Sequence, residues 1–179
     1  KVEAQANKFR EAGYEIHAEV VSTPYAVSKM SVQLRYEQER HRVGYGRLTP
    51  TESHDESYRG IADSIERLQQ ARLVQSITIS RRDGFPVYES HLQDGDWSNP
   101  AIKSDYEMDR MRTITPLEGD MLRGGIATLH SLLGQSSRCP DVRDRTAATV
   151  HTRLCNELLQ RSGLQPFHDA ALHAEQEEE

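Results

Sequence analysis

The chain has 179 residues, enough for one ordinary domain with a sizeable core plus a helical tail. Only 36% of them are hydrophobic and 6% aromatic, and no apolar run approaches the roughly 18 residues of a membrane span, so no membrane partner is expected. The formal net charge of -6 argues against a nucleic-acid binder held by bulk electrostatics, although a local basic patch can still recruit a small anion.

The opening K-V-E-A-Q-A-N-K-F-R lacks the apolar centre of a signal peptide and reads instead as the end of an amphipathic helix over 1–12, with Val2, Phe9 and Ala12 apolar and Gly13 as the stop. Tyr14 to Val21 alternates apolar and polar through Tyr14, Ile16, Ala18 and Val20, the period of a strand. Helix, glycine, strand is the order of an α/β fold. Thr23-Pro24 then starts a helix that carries Arg35, and Gly44-Tyr45-Gly46 opens a loop that holds Arg47. Between Arg35 and Arg47 four arginines (35, 40, 42, 47) stand against two glutamates (37, 39), with His41 among them.

The same helix-start device returns at Thr49-Pro50-Thr51-Glu52 and at Thr115-Pro116-Leu117-Glu118, each with Glu three residues after Thr, the spacing of a reciprocal capping box. From Pro50 to about Gln70, Tyr58, Ile61, Ala62, Ile65 and Leu68 form one apolar stripe. Leu73–Ser80 is a β-branched strand, Arg82-Asp83-Gly84 a turn, and Phe85–Tyr88 a short return; Arg81 and Arg82 are expected on the surface. Residues 91–104 are rich in turn formers and mark a boundary.

Two helices follow. The first, about 116–133, offers Leu117, Met121, Leu122, Leu129, Leu132 and Leu133 for burial and ends at Gly134. The second, about 140–162, offers Val142, Val150, Leu154 and Leu158 and stops at Gly163, and the tail from Pro166 is expected to be loose. Cys139 and Cys155 stand 16 residues apart on that second helix, roughly 24 Å at about 1.5 Å per residue, too far to bridge, so a reducing, cytoplasmic setting is the expectation. His151 and Cys155 share a helix face without further ligands and read as packing; no metal site is expected.

The chemistry legible here is a pair of guanidinium groups, Arg35 on a helix and Arg47 on a loop. Arg is always charged and presents forked donors, which suits the clamping of a polyphosphate. The loop that usually lies beneath such a clamp is missing: no Gly-Lys dipeptide occurs, so there is no G-x-x-x-x-G-K-[ST] segment, and no G-x-S-x-G, H-E-x-x-H or G-x-G-x-x-G helix start either. Arg40, His41 and Arg42 read as solvated loop-side residues, and Asp55 of His54-Asp55 is explained by the dipole of the helix it opens. Tyr36 and Tyr45 could stack on a base or, for Tyr36, pack in a core.

The ordered run F-R-E-A-G-Y-E-I-H-A-E-V-V-S-T-P, then R-Y-E, a loop ending in G-R, T-P-T-E-S-H-D, an amphipathic helix, and L-V-Q-S-I-T-I-S-R-R-D-G-F-P-V-Y resembles the C-terminal half of the zeta-toxin kinases over roughly residues 1–90. The resemblance implies an α/β, P-loop kinase-like fold, here the C-terminal portion of a parallel sheet with flanking helices, plus a helical C-terminal extension. It divides the chain into 1–90, the kinase half; 91–104, a linker; and 105–179, a helical extension with an acidic tail. It implies an ATP-dependent kinase, with Mg2+, that phosphorylates UDP-N-acetylglucosamine, in which Arg35 and Arg47 contact ATP phosphates. The P-loop lysine, catalytic base, magnesium ligands and most sugar-nucleotide contacts would lie in an N-terminal half that this chain does not carry, so the chain taken alone is expected to be inactive. An antitoxin protein or that missing half is the implied protein partner. A different small-molecule kinase with an arginine lid, or a non-catalytic helical interaction module, are the alternatives.

Overall fold

The computed structural model describes residues 2–135 and 142–168, which fall into two compact units. Unit 1 comprises the residues up to Tyr25 together with Pro50–Arg112; unit 2 comprises Ala26–Thr49 and the described residues from Thr113 onward.

Unit 1 is a mixed α/β layer. Helix α1 (Val2–Glu11) precedes strand β1 (His17–Ser22), helix α3 (Thr51–Gln70) leads into β2 (Ser76–Arg81), and β3 (Pro86–Gln93), β4 (Asp96–Trp97) and α4 (Ile102–Met111) follow. The strands lie in the order β1-β2-β3-β4, with β1 and β2 parallel and β2 to β4 antiparallel. The α/β class expected from the sequence is therefore the class observed. The parallel pair runs in register from His17↔Ser76 to Ser22↔Arg81, so Ala18, Val20 and Ser22 share a face with Ile77, Ile79 and Arg81. That face forms the core with Ala62, Ile65 and Leu68 of α3, Ile102 and Tyr106 of α4, and Tyr88. Each fully buried isoleucine there contributes about 1.5–3 kcal/mol by leaving water.

The turn-rich stretch 91–104 is held to this sheet rather than left loose. The Asn99 carbonyl accepts from Gln69 Nε2 at 2.9 Å and from Ser90 Oγ at 2.8 Å, and Trp97 Nε1 donates to the Gln69 carbonyl at 2.8 Å. Arg81, expected on the surface, instead turns inward: its Nε and Nη2 reach Asp109 Oδ1 at 2.8 and 2.6 Å, because Asp109 on α4 is buried and needs a cation.

Unit 2 is helical. Helix α2 (Tyr25–Val43), which begins at the last residue of unit 1's first segment, packs with α5 (Pro116–Gln135) and α6 (Val142–Arg161) around Met30, Ile114, Leu122, Ile126, Leu129, Cys155 and Leu159. The buried side of α5 runs through Gly119, Leu122, Ile126 and Leu129, so Leu117 and Met121, expected inside, are exposed. Gly119 is what lets α5 close: a Cβ there would lie 2.5 Å from Leu164 and 3.3 Å from Leu159. The capping box at Thr115 forms as read, with Thr115 N donating to Glu118 Oε2 at 2.8 Å and Glu118 N to Thr115 Oγ1 at 3.2 Å. The one at Thr49 does not; the first helical bond of α3 goes from His54 N to the Pro50 carbonyl, so Pro50 is the cap and Glu52 falls one place early for the box. Cys139, Pro140 and the acidic tail lie outside the described residues, whereas Phe167 is tied to Asn156 by paired bonds of 2.7 and 3.1 Å.

Candidate functional site: an arginine pair on helix α2 and its loop

Helix α2 has an unusual division of labour. Ala26 and Met30 face the apolar core of unit 2, but Lys29, Gln33 and Glu37 are buried as well, so the stripe turned into the bundle is part polar. Arg35 lies on the opposite, exposed side. The helix ends with Arg40, His41 and Arg42 in its last turn, where cations complement the carbonyl end of the dipole. Gly44 closes it in the left-handed region, φ +84°, with its N–H on the Arg40 carbonyl at 2.9 Å.

The loop then folds back on the helix. A Cβ on Gly46 would lie 2.7 Å from the Tyr36 carbonyl oxygen and 3.0 Å from Tyr36 Cδ2, so Gly46 presses its bare Cα side against the Tyr36–Arg40 turn of α2, which follows Arg35. Arg47 is the next residue of that loop. Both arginines are exposed, and neither has an ion pair or a hydrogen bond with another described residue. Their donors are available to an anion from solvent. Tyr36 is half-buried beneath the loop, with the Arg40 guanidinium 6.0 Å from its ring centroid, while Tyr45 is 78% exposed.

Arg40 is not a solvated loop residue. Its Nη1 donates to Asp144 Oδ2 at 2.6 Å, and Glu37 lies 3.6 Å away on the same helix. Burial, reinforced by the nearby Asp144 charge, raises the Glu37 carboxyl above its ordinary range, with Arg40 acting against that. Gln33 Nε2 donates to the Asp144 carbonyl at 3.0 Å, and Gln33 Oε1 is hydrogen-bonded to His151 Nδ1. Sequence reading passed over Gln33 and Asp144, counted Glu37 only among the charges between the arginines, and took His151 for helix packing. The helical spacing of Gln33, Glu37 and Arg40 is a local signal for a polar stripe, but its partner is over a hundred residues away and no local pattern points there. His151 thus belongs to a polar network, and Cys155 is a core thiol whose pKa burial pushes up to about 12.

In unit 1, His54 and Asp55 are more than a response to the helix dipole. Asp55 Oδ1 accepts from Tyr25 OH at 3.0 Å and lies 3.0 Å from His54 Nδ1, and the Tyr25, His54 and Tyr58 rings pack together at 5.3 to 5.9 Å. Tyr58 in turn donates to the Thr23 carbonyl at 2.8 Å and lies 3.4 Å beneath the Arg110 guanidinium. These contacts fasten the start of α3 to the end of β1. A groove of about 920 Å³ runs between α1, β1 and α3, lined by Phe9, Val20 and Ile61 among others, and holds neither arginine of the pair. Among the described residues no group of three or more His, Cys, Asp or Glu side chains comes together as a metal site.

Comparison with known proteins places this architecture. The chain is 30% identical over 87 residues to Toxin PezT of Streptococcus pneumoniae serotype 4, a match that covers 48% of this chain and 34% of the toxin. A chain solved in the structural characterization of the PezAT chromosomal toxin-antitoxin system of the same pathogen superposes with a TM-score of 0.56 at 21% identity, over 73% of this chain and 49% of that one. The chain thus spans between a third and a half of the relatives it matches. The family model described as Zeta toxin matches residues 1–93, a span that takes in α1 through β3, both arginines included. The chain belongs to the zeta toxin family.

Proposed function

We propose that this chain is part of an ATP-dependent phosphotransferase of zeta-toxin type, in which Arg35 and Arg47 clamp the phosphates of ATP and the acceptor is the sugar of UDP-N-acetylglucosamine. The observation that supports the reading is a pair of exposed arginines with no ion pair or hydrogen bond to another described residue, one on α2 and one on the loop that Gly46 seats against Tyr36, inside the span that matches the family. Phosphoryl transfer asks little covalent chemistry of a protein; it asks for positioning and for charge where negative charge spreads onto the transferring group. Arg35, on a packed helix, would hold the phosphates, and Arg47, on the loop, would close over them and offset charge in the transition state. Mg2+ would neutralise phosphate charge when bound with ATP; among the described residues no ligand cluster for it comes together.

On this reading residues 1–90 form the C-terminal half of the kinase domain, 91–104 the boundary and 105–179 a helical extension, while the P-loop and catalytic base come from outside these residues. The toxin–antitoxin description of the matched structure supports an antitoxin protein as partner. The packing of the apolar sides of α5 and α6 on α2 favours this reading over a free-standing helical interaction module.

The test is phosphoryl transfer from labelled ATP by the full-length protein to UDP-N-acetylglucosamine and to a panel of other sugars and nucleosides. Arg35→Ala and Arg47→Ala should each lose most of the turnover while remaining folded. Wild-type turnover in Arg47→Ala refutes the clamp, and transfer to another acceptor alone replaces UDP-N-acetylglucosamine with a different small-molecule substrate.

A further inference from the structure

The helices after residue 112 lie beyond the family-matched span, and the clamp by itself gives them no role. Helix α6 grips α2 through polar groups as well as apolar ones. Arg40 Nη1 donates to Asp144 Oδ2 at 2.6 Å, Gln33 Nε2 donates to the Asp144 carbonyl at 3.0 Å, and Gln33 Oε1 meets His151 Nδ1. Gln33 is 2% and Asp144 6% exposed, so these bonds are made away from water, where a lost partner is costly.

Their positions on α2 matter. At about 100° per residue, Gln33 and Arg40 lie roughly 160° and 140° around the helix from Arg35, so both face away from it. Apolar contacts at Ala26 and Met30 press α2 into the bundle but tolerate a slide or a small rotation. Directional bonds on either side of Arg35 do not.

We propose that Asp144 and His151, acting through Arg40 and Gln33, are positioning residues that set the rotation of α2 and hence the direction in which Arg35 is presented to a polyphosphate. The inference rests on the clamp reading. It gives the helical extension a defined task, to hold the clamp helix from behind.

The test is tripolyphosphate affinity of the full-length protein by calorimetry, with wild type, Asp144→Asn, Arg35→Ala and the double variant compared at a temperature where all are folded. Asp144→Asn should weaken binding roughly fivefold, and the double variant should bind no more weakly than Arg35→Ala alone, because once the Arg35 guanidinium is gone its direction has nothing left to contribute. A merely structural role would lower the melting temperature and leave the affinity unchanged, and additive losses would likewise overturn the inference. Arg40→Lys, which keeps the charge but not the fork, is the variant to use if Asp144→Asn does not fold, with a loss of roughly two- to threefold expected. If Arg35→Ala binds as wild type, the clamp reading falls and this inference with it; if Arg35→Ala weakens binding and both Asp144→Asn and Arg40→Lys do not, only the positioning role falls.

Discussion

Gly46→Ala isolates the geometry of the loop from its charge. The added Cβ would stand 2.7 Å from the Tyr36 carbonyl oxygen, 3.0 Å from Tyr36 Cδ2 and 3.4 Å from the Arg40 nitrogen. Two of these three atoms are helix backbone, packed from behind and unable to yield. Since ordinary contact begins near 3.4 Å, the loop must retreat by about 0.7 Å (3.4 less 2.7). Overpacking of this kind costs about 1–3 kcal/mol, and a shift approaching 1 Å at a group that touches reacting phosphate can lower a rate by up to about 100-fold. Arg47 can recover part of the displacement through its own rotamers, so the expected loss in kcat/KM for phosphoryl transfer by the full-length protein is about tenfold for Gly46→Ala and larger for Gly46→Val. Thermal melting run alongside should show both variants folded. If both transfer phosphate at the wild-type rate while folded, the contact with Tyr36 does not position Arg47 and the reasoning fails.

The buried ion pair of unit 1 makes a stability prediction: Arg81→Ala leaves the Asp109 carboxylate, 4% exposed, with Arg112 at 3.3 Å as its remaining cation. The expected cost is about 3 kcal/mol, read as a drop of roughly 10 °C in Tm, and a loss below about 1 kcal/mol would show that Arg112 suffices. Glu37 supplies a pH dependence. Its carboxyl is raised in the folded state by burial and by Asp144, so its ionised form opposes folding, fully above the raised pKa and not at all below the ordinary carboxylate value of the unfolded chain. Glu37→Gln should therefore raise Tm at neutral pH, with a gain that shrinks as pH falls and vanishes in the acid range; a gain independent of pH refutes the titration.

Much of the fold could be read locally because its signals are local. The α3 stripe is buried where Ala62, Ile65 and Leu68 predict, the strand before the Arg82-Asp83-Gly84 turn forms with its antiparallel return, and the Thr115 box closes. What could not be read depends on partners distant in sequence. Helix α4 has only Ile102 and Tyr106 as large buried apolar residues, too sparse a pattern to announce a helix, and it forms because the sheet and α3 cover those two. The inward turn of Arg81 depends on Asp109, and the buried polar side of α2 depends on Asp144 and His151. For the arginines, the sequence supplies the residues and the order; the close approach of Gly46 to Tyr36, which seats the loop carrying Arg47 on α2, is a three-dimensional fact that a lone G-x-G does not encode.

The segment of α2 that carries Arg35 belongs to unit 2, whose two stretches are separated along the chain by residues 50–112. During synthesis, at roughly 5–20 residues per second, α2 leaves the ribosome long before α5 and α6 exist to receive it. A stripe bearing Lys29, Gln33 and Glu37 offers little reason to fold alone, since an isolated helix of this length is marginal in water. The arginine-bearing helix therefore acquires its fixed orientation only after the C-terminal helices emerge, and a nascent chain stopped before residue 113 would carry both arginines without the bundle that holds them.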